Sequence, residues 1–176
     1  DDLTMEPALA SEWTTSDDGL TWTFTLRDDV EFHNGRALTA DDVVYSLERI
    51  RDPEVASGAA YRMAAVDTIE ALDDHTVEIT VTAPTPNLLT LLGGYKGMAI
   101  VAEENVTDGT IDTAPVGTGP FVFESFSPGD GVTLVRNENF WRADEGLPHL
   151  DGVNFVAIPD PTVLLTNLQS GDVDWI

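Results

Sequence analysis

Polar and apolar residues alternate along several short stretches of the chain, and turn-forming residues separate these stretches. Trp22, Phe24 and Leu26 alternate with threonines, so one side of the predicted strand is apolar and the other is polar. Pairs of such runs, joined by short turns, predict antiparallel hairpins. The predicted pairs are 9–15 with 21–27, 66–72 with 76–82, and 121–126 with 132–136.

Helical spacing of apolar residues follows the first predicted hairpin. Thr39 and Asp42 have the spacing of a capping box, and the apolar residues after them recur every three or four positions as far as Ile50. The predicted helix ends before Pro53, because proline cannot continue the hydrogen-bond ladder. A shorter helix is predicted over 87–92, ended by Gly93-Gly94.

The pattern changes at the end of the chain. The apolar run 153–158 predicts a strand, and Asp160-Pro161 then begins a helix that Gly171 ends. Residues 172–176 predict a further strand, and the order strand, helix, strand is typical of a parallel sheet. The predicted fold class is therefore α+β / α/β: antiparallel hairpins with helices, followed by the start of a parallel βαβ sheet, in a fragment of a longer protein.

Charge changes the picture of what this fold can bind. The 176 residues contain 32 Asp and Glu against 8 Lys and Arg, the net charge is −24, and Lys96 is the single lysine. Such a surface repels phosphate backbones and anionic lipid headgroups, which argues against nucleic acid or a membrane surface as a partner. We interpret the acidity as adaptation to molar salt, which screens self-repulsion. The alternative is an ordinary acidic protein with solvated carboxylate faces.

Residue types that catalyse reactions or bind metals are present without a specific motif. Adjacent carboxylates such as Asp17-Asp18 and Asp73-Asp74 recur along the chain, and their abundance favours solvated turns over a general acid–base pair. The three histidines are far apart, so the sequence predicts no metal site and no cofactor. There is no cysteine, which leaves out disulfides and thiol catalysis.

Two loops are candidates for contact with a ligand. Gly117-Thr118-Gly119 is not a dinucleotide fingerprint, because Pro120 interrupts the helix that must follow. Its glycines either let a ligand approach the main chain or form a plain turn, and composition alone favours the turn. Tyr61, in a loop rich in Gly and Ala, and Trp141, beside charged residues, are the aromatic residues most free to meet a ligand. Asn105-Val106-Thr107 fits the N-glycosylation pattern.

Five motifs follow one another in order along the chain. They are Asp18-Gly19 leading to Phe24-x-Leu26-Arg27, Phe32-His33-x-Gly35 leading to Thr39-Ala40-x-Asp42-Val43, Gly117-Thr118-Gly119-Pro120-Phe121, Arg136-Asn137 leading to Phe140-Trp141, and Gly171-Asp172-Val173-Asp174. Together they resemble the extracellular solute-binding proteins of family 5, the peptide, dipeptide and nickel receptors of ABC importers. The resemblance spans nearly the whole chain but only about the first half of the region that the family shares.

The resemblance implies a fragment of a periplasmic-binding-protein type II-like fold, in which two lobes close over the ligand by a hinge motion. Residues 1–130 resemble a small antiparallel α+β subdomain, and 131–176 resemble part of the first ligand-binding lobe, with the second lobe absent. The resemblance also implies that Tyr61 and the loop of Gly117, Thr118 and Gly119 face the ligand cleft. His33 and Arg27 are motif residues that a buried hydrogen bond explains as well as a ligand contact does.

The function implied is that of a receptor, not an enzyme. It captures di- and oligopeptides outside the cell and delivers them to ABC permease subunits, as a monomer anchored to the outer face of the membrane through a missing N-terminal segment. Within this class, a receptor for nickel chelates or oligosaccharides is the alternative. Two other classes stay open at this stage: an acidic hydrolase that uses a carboxylate pair, and an acidic cell-surface domain without a transport role.

Overall fold

The computed structural model describes residues 4–93 and 97–176, so Gly94 and Lys96 lie outside the described residues. The elements below are numbered in chain order. They are β1 (Ala10–Thr15), β2 (Thr21–Leu26), α1 (Ala40–Arg51), a 3₁₀ turn (Ala60–Met63), β3 (Val66–Asp73), β4 (Thr76–Val81), α2 (Leu88–Leu92), α3 (Glu103–Thr107), β5 (Phe121–Ser127), β6 (Gly131–Arg136), a second 3₁₀ turn (Ala143–Glu145), β7 (Gly152–Val156) and α4 (Pro161–Ser170).

The first half of the chain forms a four-stranded antiparallel sheet with the strand order β1-β2-β4-β3. Its two outer pairs, β1 with β2 and β3 with β4, are the hairpins that the alternating pattern predicts. The two hairpins are joined by β2 and β4, where Trp22 lies opposite Ile79 and Phe24 lies opposite Val77. Because directly opposite residues share a face, these four side chains form one apolar surface, and all four are buried.

Helix α1 packs on this apolar surface. The Asp42 carboxylate accepts a hydrogen bond from the Thr39 N–H at 2.9 Å, as the capping-box spacing predicts. Leu47 and Ile50 are buried on the side of the helix that belongs to the first core. The helix ends at Arg51, just before Pro53, so its predicted bounds are confirmed.

A second, smaller core lies beside the first. It consists of four buried residues, with Val116 and Trp141 among the partly buried side chains packed against it. Since Val116 immediately precedes the candidate loop 117–119, this core anchors the start of that loop. The four buried residues are Val30, Phe32, Leu38 and Ala102.

The second sheet consists of β5, β6 and β7, which pair antiparallel in that order. Phe126, Val132 and Phe155 lie directly across from one another on one face, yet Phe126 and Phe155 are 52% and 53% exposed. No residue of these three strands is buried within the described structure, so this sheet is a single layer here. The predicted domain boundary at residue 130 falls in the turn between β5 and β6, and the division into 1–130 and 131–176 stays a prediction.

The end of the chain differs in part from the prediction. Helix α4 begins as expected, because the Asp160 carboxylate accepts hydrogen bonds from two N–H groups of the first turn, and it ends at Gly171 with φ 82°. The segment 172–176, however, is not a strand, and both sheets are antiparallel, so the described residues do not form the predicted parallel βαβ pair. The N–H groups of Asp172 and Val173 instead donate to the Asn167 carbonyl. A strand needs a neighbouring main chain as its partner, and the described residues supply none at this position.

The helices in the described ranges are short. The longest, α1, has 12 residues, and none of them has the length and apolar composition required to cross a bilayer.

Candidate functional site

The loop Gly117-Thr118-Gly119 is held by His33, which follows a residue of the second core. The His33 main-chain N–H donates to the Gly117 carbonyl at 2.8 Å, and the Gly117 N–H donates to the ring Nδ1 at 3.3 Å. The ring Nε2 lies 3.0 Å from the Gly119 carbonyl oxygen. A carbonyl oxygen can only accept and an amide N–H can only donate, so these contacts require a neutral imidazole with its hydrogen on Nε2.

Asn137 holds the same loop from the second sheet. Its Nδ2 donates to the Gly119 carbonyl at 2.9 Å, and its main-chain N–H donates to the Pro120 carbonyl at 2.9 Å. The side chain is buried, and its Oδ1 accepts a hydrogen bond from the Asn139 N–H. Asn137 directly follows β6, so it connects the loop to that sheet. Asn137 belongs to the motif that Arg136 begins, but nothing in that motif indicates this role.

The segment that leads into the loop is held by Asn105 on α3. Its Oδ1 accepts from the Val116 N–H at 2.8 Å, while its Nδ2 donates to the Thr110 hydroxyl at 2.7 Å and to the Ala114 carbonyl at 3.1 Å. The side chain is buried. The glycosylation pattern at Asn105 therefore does not correspond to an accessible acceptor in this fold, because a three-residue pattern carries no information on burial.

The loop 117–119 also has hydrogen-bonding groups that these contacts do not use. In the part of the chain that the structure describes, the N–H groups of Thr118 and Gly119, the Thr118 carbonyl and the Thr118 hydroxyl have no hydrogen-bond partner. Thr118 and Gly119 are both half-buried. Main-chain donors and acceptors side by side can pair with the main chain of another molecule.

Arg36 connects the segment after His33 to α1 and α3. Its guanidinium donates to both Asp42 oxygens, at 2.6 and 2.9 Å, and to both Glu104 oxygens, at 2.9 and 3.0 Å. Hydrogen bonds from Arg36, and a further one from Asn34, hold the pKa of Glu104 at about 2, below its usual value of 4.5. All three charged groups are engaged in hydrogen bonds with one another, so the cluster stabilises the site's surroundings.

Tyr61 lies between two residues of the first core, Ala59 and Met63, along the chain. It belongs to the 3₁₀ turn Ala60–Met63, in which Met63 is buried as the anchor. The Tyr61 ring is 68% exposed, and the guanidinium of Arg62 lies 5.6 Å from its centroid. The exposure agrees with the prediction of a free aromatic side chain, while contact of Tyr61 with a ligand stays a prediction.

Trp141 has partners within the chain. The guanidinium groups of Arg27 and Arg142 lie 4.7 and 5.6 Å from its ring, and the side chain packs against the second core. Trp141 is therefore less free to meet a ligand than its position beside charged residues suggested, because both the adjacent Arg142 and the distant Arg27 lie over its ring. Arg27 also pairs with Asp29 at 2.6 Å, so contacts within the chain account for this motif residue.

Two open grooves lie elsewhere on the surface. One, of about 670 Å³, runs along the C-terminal half of α1 to Val106, and the other, of about 450 Å³, lies beside β1 and β2 near His75. Their linings include neither Tyr61 nor the loop 117–119. Across residues 4–93 and 97–176, no three metal-ligating side chains converge.

The chain matches one protein family over nearly its whole length. The family described as bacterial extracellular solute-binding proteins, family 5 Middle, matches residues 4–176. Among curated proteins, heme-binding protein A of Haemophilus influenzae is 35% identical, over 98% of this chain and 35% of that protein. Probable di/tripeptide-binding protein 5 of Pseudomonas aeruginosa is 34% identical, over 96% of this chain and 36% of that protein.

Solved structures show the same likeness. The binding protein MoaA of A. tumefaciens R10, in complex with mannopinic acid, superposes with a TM-score of 0.88 at 37% identity, over 96% of this chain and 34% of that one. This superposition confirms the predicted periplasmic-binding-protein type II-like fold. The chain spans about a third of the length of the curated relatives that it matches.

Proposed function

Because the chain belongs to the bacterial extracellular solute-binding proteins of family 5, we propose that the whole protein is the ligand-capturing subunit of an ABC importer and that its ligands are di- and oligopeptides. The family consists of binding receptors, so the hydrolase alternative is set aside. The relatives' names include haem and di/tripeptides, and a related structure holds mannopinic acid, so the class of ligand is the finer part of this proposal.

One observation carries the choice of peptides. Among the described residues, two main-chain donors and one main-chain acceptor of Thr118 and Gly119 have no partner. They belong to a loop that is held by three hydrogen bonds with His33 and one from the Asn137 side chain. Groups of this kind recognise the repeating amide of a peptide without reading its side chains. Because the loop is held within the protein, binding does not have to order it first.

We propose Tyr61, Gly117, Thr118 and Gly119 as residues of the ligand site. Tyr61 supplies exposed aromatic surface, which can cover an apolar part of a ligand. The loop supplies main-chain hydrogen bonds.

The whole protein acts outside the cell in this proposal, since the family is extracellular or periplasmic. It works as a monomer and passes its ligand to permease subunits in the membrane. In this proposal the protein is anchored at the outer face of the membrane.

The distribution of acidic residues supports adaptation to molar salt. Asp1 and Asp2 lie outside the described residues, and of the other 30 acidic side chains only Asp42 is buried. Nearly all the negative charge therefore faces solvent, where salt screens it.

Mass spectrometry of small molecules released by denaturation tests the proposal. The sample is the full-length protein, purified in molar salt from its native host. Short peptides among the released molecules are the expected result. A sugar, haem or metal chelate would keep the importer role and replace the ligand class, whereas an empty protein would favour a cell-surface domain without a transport role.

A further inference from the structure

Most glycines of this chain are required by the fold itself. Of the 13 described glycines, eight have φ in the left-handed region, where other residues are strained. At Gly93 and Gly152, an added Cβ would lie within 3.0 Å of another atom. Gly58, Gly117 and Gly119 have neither reason to be glycine.

Gly119 is the glycine of these three that most needs an explanation. Gly58 is exposed, and a missing side chain at an exposed position needs no explanation. A Cβ on Gly117 would meet the His33 ring at 3.8 Å, an ordinary contact within the chain. Gly119 is half-buried in the loop 117–119. A Cβ added to Gly119 would have no atom of the described structure within 4 Å.

The described structure has room for the methyl group of an alanine at this position, and its φ is outside the left-handed region. Glycine loses more conformational freedom on folding than any other residue, and alanine in a compatible conformation stabilises a protein. Among the described residues, therefore, no contact and no strained φ accounts for glycine at position 119. The free N–H groups of Thr118 and Gly119 and the free Thr118 carbonyl belong to the same short segment.

We infer that Gly119 is glycine because the main chain of a bound peptide comes into van der Waals contact with its Cα and pairs with the free groups of Thr118 and Gly119. This inference rests on the proposed function, which it deepens by naming a specificity-determining contact. A methyl group at 119 would occupy the space that the peptide takes.

The hydrogen bonds that hold the loop in place make this contact sensitive to a single methyl group. The Gly119 carbonyl accepts hydrogen bonds from His33 and Asn137, and Gly117 is bonded to His33 through both its N–H and its carbonyl. The loop cannot move aside for an added methyl group without breaking these bonds. Loss of peptide binding is therefore expected without loss of the fold.

The test uses the full-length protein in molar KCl and three proteins: the wild type, Gly119→Ala and Gly129→Ala. Each is dialysed to equilibrium against an equimolar mixture of tripeptides, the bound tripeptides are measured by mass spectrometry, and Tm is measured by circular dichroism. Gly129 is the matched control, because it lies in the turn between β5 and β6 with φ 88° and open space around it.

Gly119→Ala is expected to lose at least tenfold in tripeptide affinity while its Tm stays equal or rises. Gly129→Ala is expected to show the reverse, a lower Tm with unchanged affinity, because alanine is strained at its φ. Wild-type affinity in Gly119→Ala would overturn the inference and leave the proposed function standing. A wild type that retains no tripeptide would overturn both, and a lower Tm in Gly119→Ala would show that the fold itself requires glycine there.

Discussion

Arg36 forms two ion pairs that differ sharply in burial, and the structure predicts unequal losses when they are broken. The guanidinium bonds Asp42, whose side chain is 6% exposed, and Glu104, whose side chain is 41% exposed. Without Arg36, the Asp42 carboxylate would stay buried, with the Thr39 N–H and hydroxyl as its hydrogen-bond donors.

The two magnitudes follow from this difference in burial. Removing one partner of a buried ion pair destabilises a protein by about 3–5 kcal/mol, because the other charge is left uncompensated. The Arg36 side chain is itself 38% exposed, so we expect Arg36→Met to lower the free energy of unfolding by less than this, about 2 kcal/mol. Glu104→Gln breaks a largely exposed pair and is expected to lower it by about 1 kcal/mol or less.

Urea unfolding in molar KCl, followed by tryptophan fluorescence, measures both losses, since urea leaves the ionic strength unchanged. Glu145→Gln is the control, because it breaks an exposed pair with Arg142. In the Arg36→Met background, Asp42→Asn is expected to restore part of the stability by removing the buried charge. A loss in Arg36→Met no larger than that in Glu104→Gln would refute the reasoning.

Circular dichroism is expected to show loss of structure as KCl falls from molar to millimolar, because the charge of −24 is then unscreened; a spectrum indifferent to salt would contradict halophilic adaptation. The pKa of Glu104 is lowered from 4.5 to about 2, so its pairing contributes fully above pH 4.5 and is lost as the pH falls toward 2. As the pH falls over this interval, the urea midpoint of the wild type should therefore decrease more than that of Glu104→Gln. Equal decreases in the two proteins would argue against the pairing. Asn137→Ala removes a buried donor to Gly119 and is expected to lower the free energy of unfolding by about 1–2 kcal/mol. An unchanged urea midpoint in Asn137→Ala would contradict this expectation. The 176-residue chain alone is expected to bind peptides weakly or not at all, and micromolar binding by it would mean that the site is complete without the rest of the protein.

Local patterns predicted much of the first half of the fold. The alternation in β2 reports which face is apolar, and the capping-box spacing of Thr39 and Asp42 reports where α1 begins. The start and end of α4 were equally readable from Asp160 and Gly171. These features depend on residues a few positions apart, so the sequence shows both partners together.

The candidate site was predicted only in outline. The glycines and Thr118 marked the loop, but composition favoured a plain turn. The structure shows the contacts of His33 and Asn137 that hold it. No short-range pattern predicts these contacts, because His33 lies 86 positions from Gly119 along the chain and Asn137 lies 18 positions from it. Asn105 and Trp141 show the same limit, because their exposure depends on which distant residues fold over them.

The sequence by itself determined the family, the hairpins, α1, α4 and the acidic character, because ordered motifs, periodicity and composition are properties of the chain alone. Only the tertiary structure decided that β2 pairs with β4, that residues 172–176 form no strand here, and that the N–H groups of Thr118 and Gly119 have no partner among the described residues. Each of these features depends on whether the folded chain places a main-chain or side-chain partner next to the residue. Periodicity reports which face of an element is apolar, but the packing of the whole chain selects what that face meets.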